Sequence, residues 1–142
     1  MRIVTAAGAV LLCLVTAACT DSDDGSEMRD AETVAAEARA EIDDLAQRLG
    51  TDPEVRHDTL VDCEVGDEDA GKYLSYNVHV RVEPGTLERL RTEIAADYEA
   101  DGWTVRQDPE GTRFLKGQAS IGAKVYEDKG GAAVFGSGGC GK

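Results

Sequence analysis

The segment Lys72–Glu83, KYLSYNVHVRVE, alternates between apolar and polar residues more regularly than any other part of the chain. Successive side chains of a β-strand point to opposite faces, so this alternation predicts a strand with one buried face and one face in water. The buried face is predicted to carry Leu74, Tyr76, Val78, Val80 and Val82. A strand of this kind is typical of an antiparallel sheet that is covered on one side only.

Two amphipathic helices are available to cover that side. Glu27–Leu49 has apolar residues at spacings of three and four, and Gly50 follows as a C-terminal stop. A second helix is predicted to begin at Thr86, a residue type that caps helices, and to end before Gly102. Each helix has a single apolar stripe, so each is expected to pack on a sheet through that stripe alone.

The remaining segments predict short strands joined by turns. A first strand is expected over Thr59–Glu64, a turn over Gly66–Gly71, and four strands after Gly102, at 103–107, 112–116, 120–126 and 132–136. The order is then helix, two strands, helix, four strands. Grouped elements of this kind favour an α+β two-layer sandwich. We expect residues 27–142 to form one such domain, with an antiparallel sheet of about five to six strands and two helices on one face.

The N-terminal residues have a different character. Arg2 is followed by sixteen uncharged residues, Ile3–Ala18, and small residues end this run immediately before Cys19. A short basic start and an apolar middle are typical of a secretory signal peptide. The run is shorter than the ~20 residues that a membrane-spanning helix needs. Residues 1–18 are therefore predicted to be a signal peptide.

The residues before Cys19 resemble the lipobox of bacterial lipoproteins, and the abundance of Ala and Gly resembles small cell-envelope lipoproteins of actinobacteria. The resemblance implies cleavage before Cys19, a diacylglyceryl group on its sulfur, and a protein anchored at the outer face of the cytoplasmic membrane. Residues 19–26 would then be the lipidated cysteine and a hydrated acidic tether, TDSDDGS. The alternative is an ordinary secretory signal, which would leave Cys19 as a plain thiol in a secreted protein.

Two further cysteines, Cys63 and Cys140, lie in the predicted domain. Exported proteins meet an oxidising compartment, where a pair of remaining thiols is expected to form a disulfide. We therefore predict a Cys63–Cys140 bond that holds the glycine-rich tail against the sheet. The alternative is two unpaired thiols in a reducing compartment.

No catalytic constellation is evident in the sequence. His57 and His79 lack a neighbouring Cys or His at metal-ligand spacing, and the glycines near Ser137 form neither a nucleophile elbow nor a phosphate-binding loop. We therefore expect no catalytic residue, no metal and no cofactor. A small secreted hydrolase that uses carboxylates is the alternative, because the chain has 28 Asp and Glu.

The polar side of the Lys72–Glu83 strand is the candidate ligand-binding face. Tyr73, Asn77, His79 and Arg81 combine an aromatic ring, an amide, an imidazole and a guanidinium, a mixture that suits a polar ligand or a partner chain. The formal net charge of −13 argues against nucleic acid as a partner. We expect a noncatalytic lipoprotein that binds a protein or envelope ligand through this face; a merely solvated sheet face is the alternative.

Overall fold

Residues 27–142 are described by a computed structural model in which helices and strands form two layers. The first helix, α1, spans Ala31–Leu49. The second, α2, runs through three consecutive segments, Thr86–Arg89, Leu90–Ile94 and Ala95–Ala100, of which the middle one is π-helical. The strands are β1 Thr51–Glu64, β2 Asp67–Arg81, β3 Thr104–Asp108, β4 Gly111–Lys116, β5 Ala119–Tyr126, β6 Gly131–Ser137 and β7 Cys140–Gly141.

Over these residues the strands form one antiparallel sheet in the order β1-β2-β6-β5-β4-β3, with β7 paired to β2. The predicted α+β two-layer sandwich is confirmed. The sheet has seven strands rather than five or six, because the glycine-rich tail contributes β7. The predicted disulfide is also confirmed: Cys63 and Cys140 are bonded, with 6.2 Å between their Cα atoms.

Both helices pack against the same face of the sheet, where they share one apolar core. The core contains Ile42 and Leu45 of α1, Leu90 and Ile94 of α2, and the inward-facing side chains of the strands. Among the latter are Leu74, Tyr76, Val78, Val80 and Val82, which are the residues that the alternating pattern places on the buried side. The opposite face of the sheet is not covered by either helix.

Several element boundaries differ from the sequence prediction. Helix α1 begins at Ala31 rather than Glu27, because a carboxylate oxygen of Asp30 accepts a hydrogen bond from the backbone N–H of Thr33, 2.8 Å away, and so caps the helix. The turn predicted over 66–71 is shorter and begins one residue earlier: it is a tight turn at Val65 and Gly66, where Gly66 takes a φ of 83°.

Strand β1 is longer than predicted, beginning at Thr51 instead of Thr59. Its first half is exposed, contains Pro53 and pairs with β2 through irregular register. Edge strands tolerate Pro and irregular pairing, and this half buries no apolar face. The sequence of this half therefore shows no alternation of apolar and polar residues.

The predicted signal peptide, 1–18, and the predicted lipidated cysteine and tether, 19–26, lie outside the described residues. Within residues 27–142, no helix is both long and apolar enough to cross a membrane.

The hydroxyl of Tyr76 lies under α1 and donates a hydrogen bond to Asp43 Oδ1 at 3.0 Å. Burial of the side chain, together with the Asp43 carboxylate, raises the pKa of Tyr76 to about 12. The folded state thus favours the neutral phenol, so this contribution to stability is full below pH ~10 and is lost as the pH rises towards 12. We expect the unfolding free energy to fall in this window by about 2 kcal/mol more in the wild type than in Tyr76→Phe.

Urea unfolding curves of both proteins at successive pH values measure this difference. Other alkaline effects, such as titration of Tyr98, whose pKa is also raised by burial, occur in both proteins and cancel in the comparison. Parallel pH profiles for the wild type and Tyr76→Phe would contradict the prediction.

Candidate functional site

Strand β2 carries all four residues of the predicted ligand-binding face on the side of the sheet that faces away from the helices. His79 and Arg81 are exposed, whereas Tyr73 and Asn77 are half-buried between neighbouring strands. Arg81 forms an exposed ion pair with Asp52, 3.3 Å between nitrogen and oxygen. The residues lie along one strand rather than around a cavity, so they offer a surface to a ligand.

This surface extends across the sheet, and we call it the outer face. It comprises the outward positions of β2 from Tyr73 to Arg81 and those of β6, β5, β4 and β3, together with His57 on β1. The strand register aligns six of its residues in one line across the sheet, which we call the central row. In order from β1 to β3, the central row consists of His57, Asn77, Phe135, Gly122, Arg113 and Arg106.

Sequence reasoning identified only Asn77 of the central row as a site residue. Phe135, Arg113 and Arg106 were not predicted, because the strands β3 to β6 join β2 only through the long-range pairing of β6 with β2. His57 was not predicted because it lies in the first half of β1, outside the predicted strand. Period-two alternation in the short strands indicates which residues point outward. It does not indicate which strands are neighbours.

An aromatic ring and a guanidinium meet at the middle of the central row. A Cβ atom on Gly122 would lie 3.3 and 3.4 Å from two ring carbons of Phe135, so the ring lies over the glycine. The guanidinium carbon of Arg113, on the far side of Gly122, is 5.7 Å from the ring centre. This distance is within the range of a cation–π interaction. Phe135 thus holds the Arg113 side chain over the sheet.

A shallow recess of about 300 Å³ lies at the other half of the central row. It is lined by groups that donate or accept hydrogen bonds, including those of His57, Ser75, Asn77 and Ser137, and by the ring of Phe135. Asn77 Oδ1 is shielded from solvent and accepts no hydrogen bond from the part of the chain that the structure describes. The recess can therefore supply hydrogen bonds to a polar ligand.

The outer face is basic although the chain is acidic. On strands β2 to β6, four of its outward positions are Arg81, Arg106, Arg113 and Lys124, and one is acidic, Asp108. On β1, Glu54 lies opposite His79 at the margin of this face. Arg81 and Lys124 have acidic partners at the margin, the latter with 3.7 Å between Lys124 Nζ and Glu110 Oε2. The excess of acids lies elsewhere, on the helices and the β1–β2 hairpin.

A larger groove of about 660 Å³ lies on the helical side, between the first half of α1 and the β4–β5 turn. Its apolar lining includes Val34, Ala38 and Ile121, and Trp103 is half-buried beside it. Lys116 Nζ is 5.7 Å from the centre of the Trp103 ring and donates a hydrogen bond to the backbone of Asp101. The sequence analysis did not predict this groove.

Two carboxylates one helical turn apart, Glu37 and Glu41, also line the groove. Glu37 receives two hydrogen bonds from the guanidinium of Arg29, at 2.6 and 3.0 Å, and these bonds lower the pKa of Glu37. A hydrolytic general acid needs a raised pKa. Glu37 therefore does not favour the hydrolase alternative, which stays a prediction.

Among residues 27–142 there is no cluster of three or more His, Cys, Asp or Glu side chains that could hold a metal ion. Comparison with known proteins gives no match: no family model, no curated protein and no solved structure is significantly similar to the chain.

Proposed function

We propose that the protein is a noncatalytic lipoprotein of the bacterial cell envelope, anchored through Cys19, that binds an envelope ligand or partner through the outer face. The anchor is supported by the sequence around Cys19. The oxidising compartment that export implies agrees with the Cys63–Cys140 disulfide. An acidic protein gains no attraction from anionic headgroups, so a covalent lipid is the physical means of membrane attachment.

The binding role rests on one observation. The face of the sheet that neither helix covers carries basic, aromatic and amide side chains, although the chain has a net charge of −13. Exposed sheet faces are ordinarily occupied by mixed polar residues. Here Arg113 is held over the ring of Phe135, and Asn77 and His57 line a recess beside it. Side chains placed in this way present a site that is organised before a ligand binds.

We expect the double variant His79→Ala/Arg81→Ala to bind isolated bacterial cell envelopes about tenfold more weakly than the wild type, since it removes two exposed polar groups of the outer face. The melting temperature should change by no more than about 2 °C, because Arg81 forms only an exposed ion pair and His79 is exposed. Cosedimentation with the envelopes measures binding, with Cys19→Ser present in every protein compared so that no lipid retains it. A thermal melt measures the stability.

Arg29→Ala is the matched control. Like Arg81, Arg29 is an exposed arginine in an ion pair, but it lies on the helical side, at the edge of the larger groove. We expect this variant to bind like the wild type. If Arg29→Ala lost binding while His79→Ala/Arg81→Ala kept it, the ligand would bind in the larger groove. That result would overturn the proposal for the outer face.

A further inference from the structure

Arg106 and Arg113 lie directly opposite each other on β3 and β4, on the outer face. Residues in this position have Cβ atoms about 5 Å apart, and like charges at that distance destabilise a sheet. Within residues 27–142, neither guanidinium forms an ion pair. The fold thus places two positive charges side by side without an ion pair to either one, although the chain has 28 acidic residues.

Arginine is well suited to bind an anion at this pair. Its planar guanidinium forms two parallel hydrogen bonds with a carboxylate or a phosphate. Arg113 is held by Phe135, so one of the two guanidinium groups is already oriented over the sheet. An anionic group placed between Arg106 and Arg113 would relieve their repulsion and accept hydrogen bonds from both.

The central row offers different chemistry over the rest of its length. From Arg113 it passes to the ring of Phe135 and then to the neutral groups of Asn77 and His57. The row crosses six strands, and neighbouring strands are about 4.8 Å apart, so the row is about 24 Å long. A ligand that follows the row therefore needs a charge at one end, an apolar surface in the middle, and hydroxyl or amide groups beyond it.

We propose that the central row binds an acidic polysaccharide, with a carboxylate or phosphate of one sugar between Arg106 and Arg113. A neighbouring sugar ring packs on Phe135, and the hydroxyl groups of the next one reach Asn77 and His57. This inference rests on the proposed function, and it identifies the chemical class of the ligand for the outer face.

Other anionic partners fit less well. A nucleic acid or an anionic bilayer presents a dense and continuous negative charge, which the net charge of −13 opposes. A polyacidic peptide would place further carboxylates, rather than hydroxyl groups, at the neutral recess on the β1–β2 side of Phe135. A sugar polymer carries its charges apart, with hydroxyl groups between them, as the central row requires.

The test is isothermal titration of the full-length protein with hyaluronan oligosaccharides, in which charged and neutral sugars alternate, with a neutral chito-oligosaccharide of equal length, and with oligoglutamate of equal charge. We expect the hyaluronan oligosaccharide to bind most tightly, with an affinity that falls as salt is added. In Arg106→Ala/Arg113→Ala this affinity should fall at least about tenfold, while the melting temperature stays equal or rises because the repulsion is removed.

Arg29→Ala/Arg39→Ala removes the same charge from the helical layer and is expected to keep the wild-type affinity. Equal binding of the neutral oligosaccharide, tighter binding of oligoglutamate, or an unchanged affinity in Arg106→Ala/Arg113→Ala would each overturn the inference. So would the absence of any binding to the hyaluronan oligosaccharide at low salt. In all four cases, envelope binding that depends on His79 and Arg81 would leave the proposed function standing.

Discussion

Removal of the Cys63–Cys140 disulfide is expected to lower the unfolding free energy of the domain by about 4.5 kcal/mol. The bond joins residues 77 positions apart, and closing a loop of this length removes much of the conformational entropy of the unfolded chain. A loss of this size in a domain of this length corresponds to a fall of about 15–20 °C in melting temperature.

Thermal and urea unfolding of the wild type and of Cys63→Ser/Cys140→Ser measure the effect. The double variant leaves no unpaired thiol at either position, so its stability is not altered by exchange or oxidation. A melting temperature within about 3 °C of the wild type would show that β7 and the tail stay in place without the bond.

The second large effect is expected at Cys19. In the proposed lipoprotein, Cys19→Ser removes the atom that carries the diacylglyceryl group, so the protein should pass from the membrane fraction to the soluble fraction or the medium. Each buried methylene of a lipid contributes about 0.8 kcal/mol, and two acyl chains together anchor a protein stably. Loss of both chains should therefore abolish membrane retention rather than weaken it.

Fractionation of a bacterial host that expresses the full chain measures this change, and the mass of the N-terminal peptide identifies the modification. Cys13→Ser is the matched control: it replaces a cysteine inside the predicted signal peptide and should leave retention intact. A wild-type protein that is found in the medium and begins with an unmodified Cys19 would favour the ordinary secretory signal. The same result would favour the alternative that the protein is a diffusible enzyme.

The helices and strands that bury one side were predictable from the sequence, because burial of one side makes apolar residues recur at a regular spacing. The strand that contains Leu74, Val78 and Val80 is the clearest case, and the apolar stripe of α1 is the second. The first half of β1 was not predictable, since it is an exposed edge that is held by backbone pairing with β2. Strand β7 was not predictable either, because Cys140–Gly141 has no pattern of its own.

The candidate site was predictable along one strand but not across the sheet. The outward orientation of Tyr73, Asn77, His79 and Arg81 follows from alternation within β2. Arg113 on β4 and Phe135 on β6 belong to the consecutive strands β4, β5 and β6, but their alignment with Asn77 depends on the pairing of β6 with β2, a long-range pairing that local periodicity does not encode. Gly122, whose missing side chain makes room for the ring, is informative only once its neighbours are known.

The tail that forms β7 also determines how the domain would carry a mechanical load. The backbone N–H of Ala31 donates to the carbonyl of Lys142, and the N–H of Lys142 donates to the carbonyl of Arg29, each at 2.7 Å. In the proposed lipoprotein, tension between a lipid at Cys19 and a ligand on the outer face would reach these two hydrogen bonds before it reaches α1. Part of the force would then pass through the tail and the Cys63–Cys140 disulfide to β1, which would protect α1 from being pulled off the sheet.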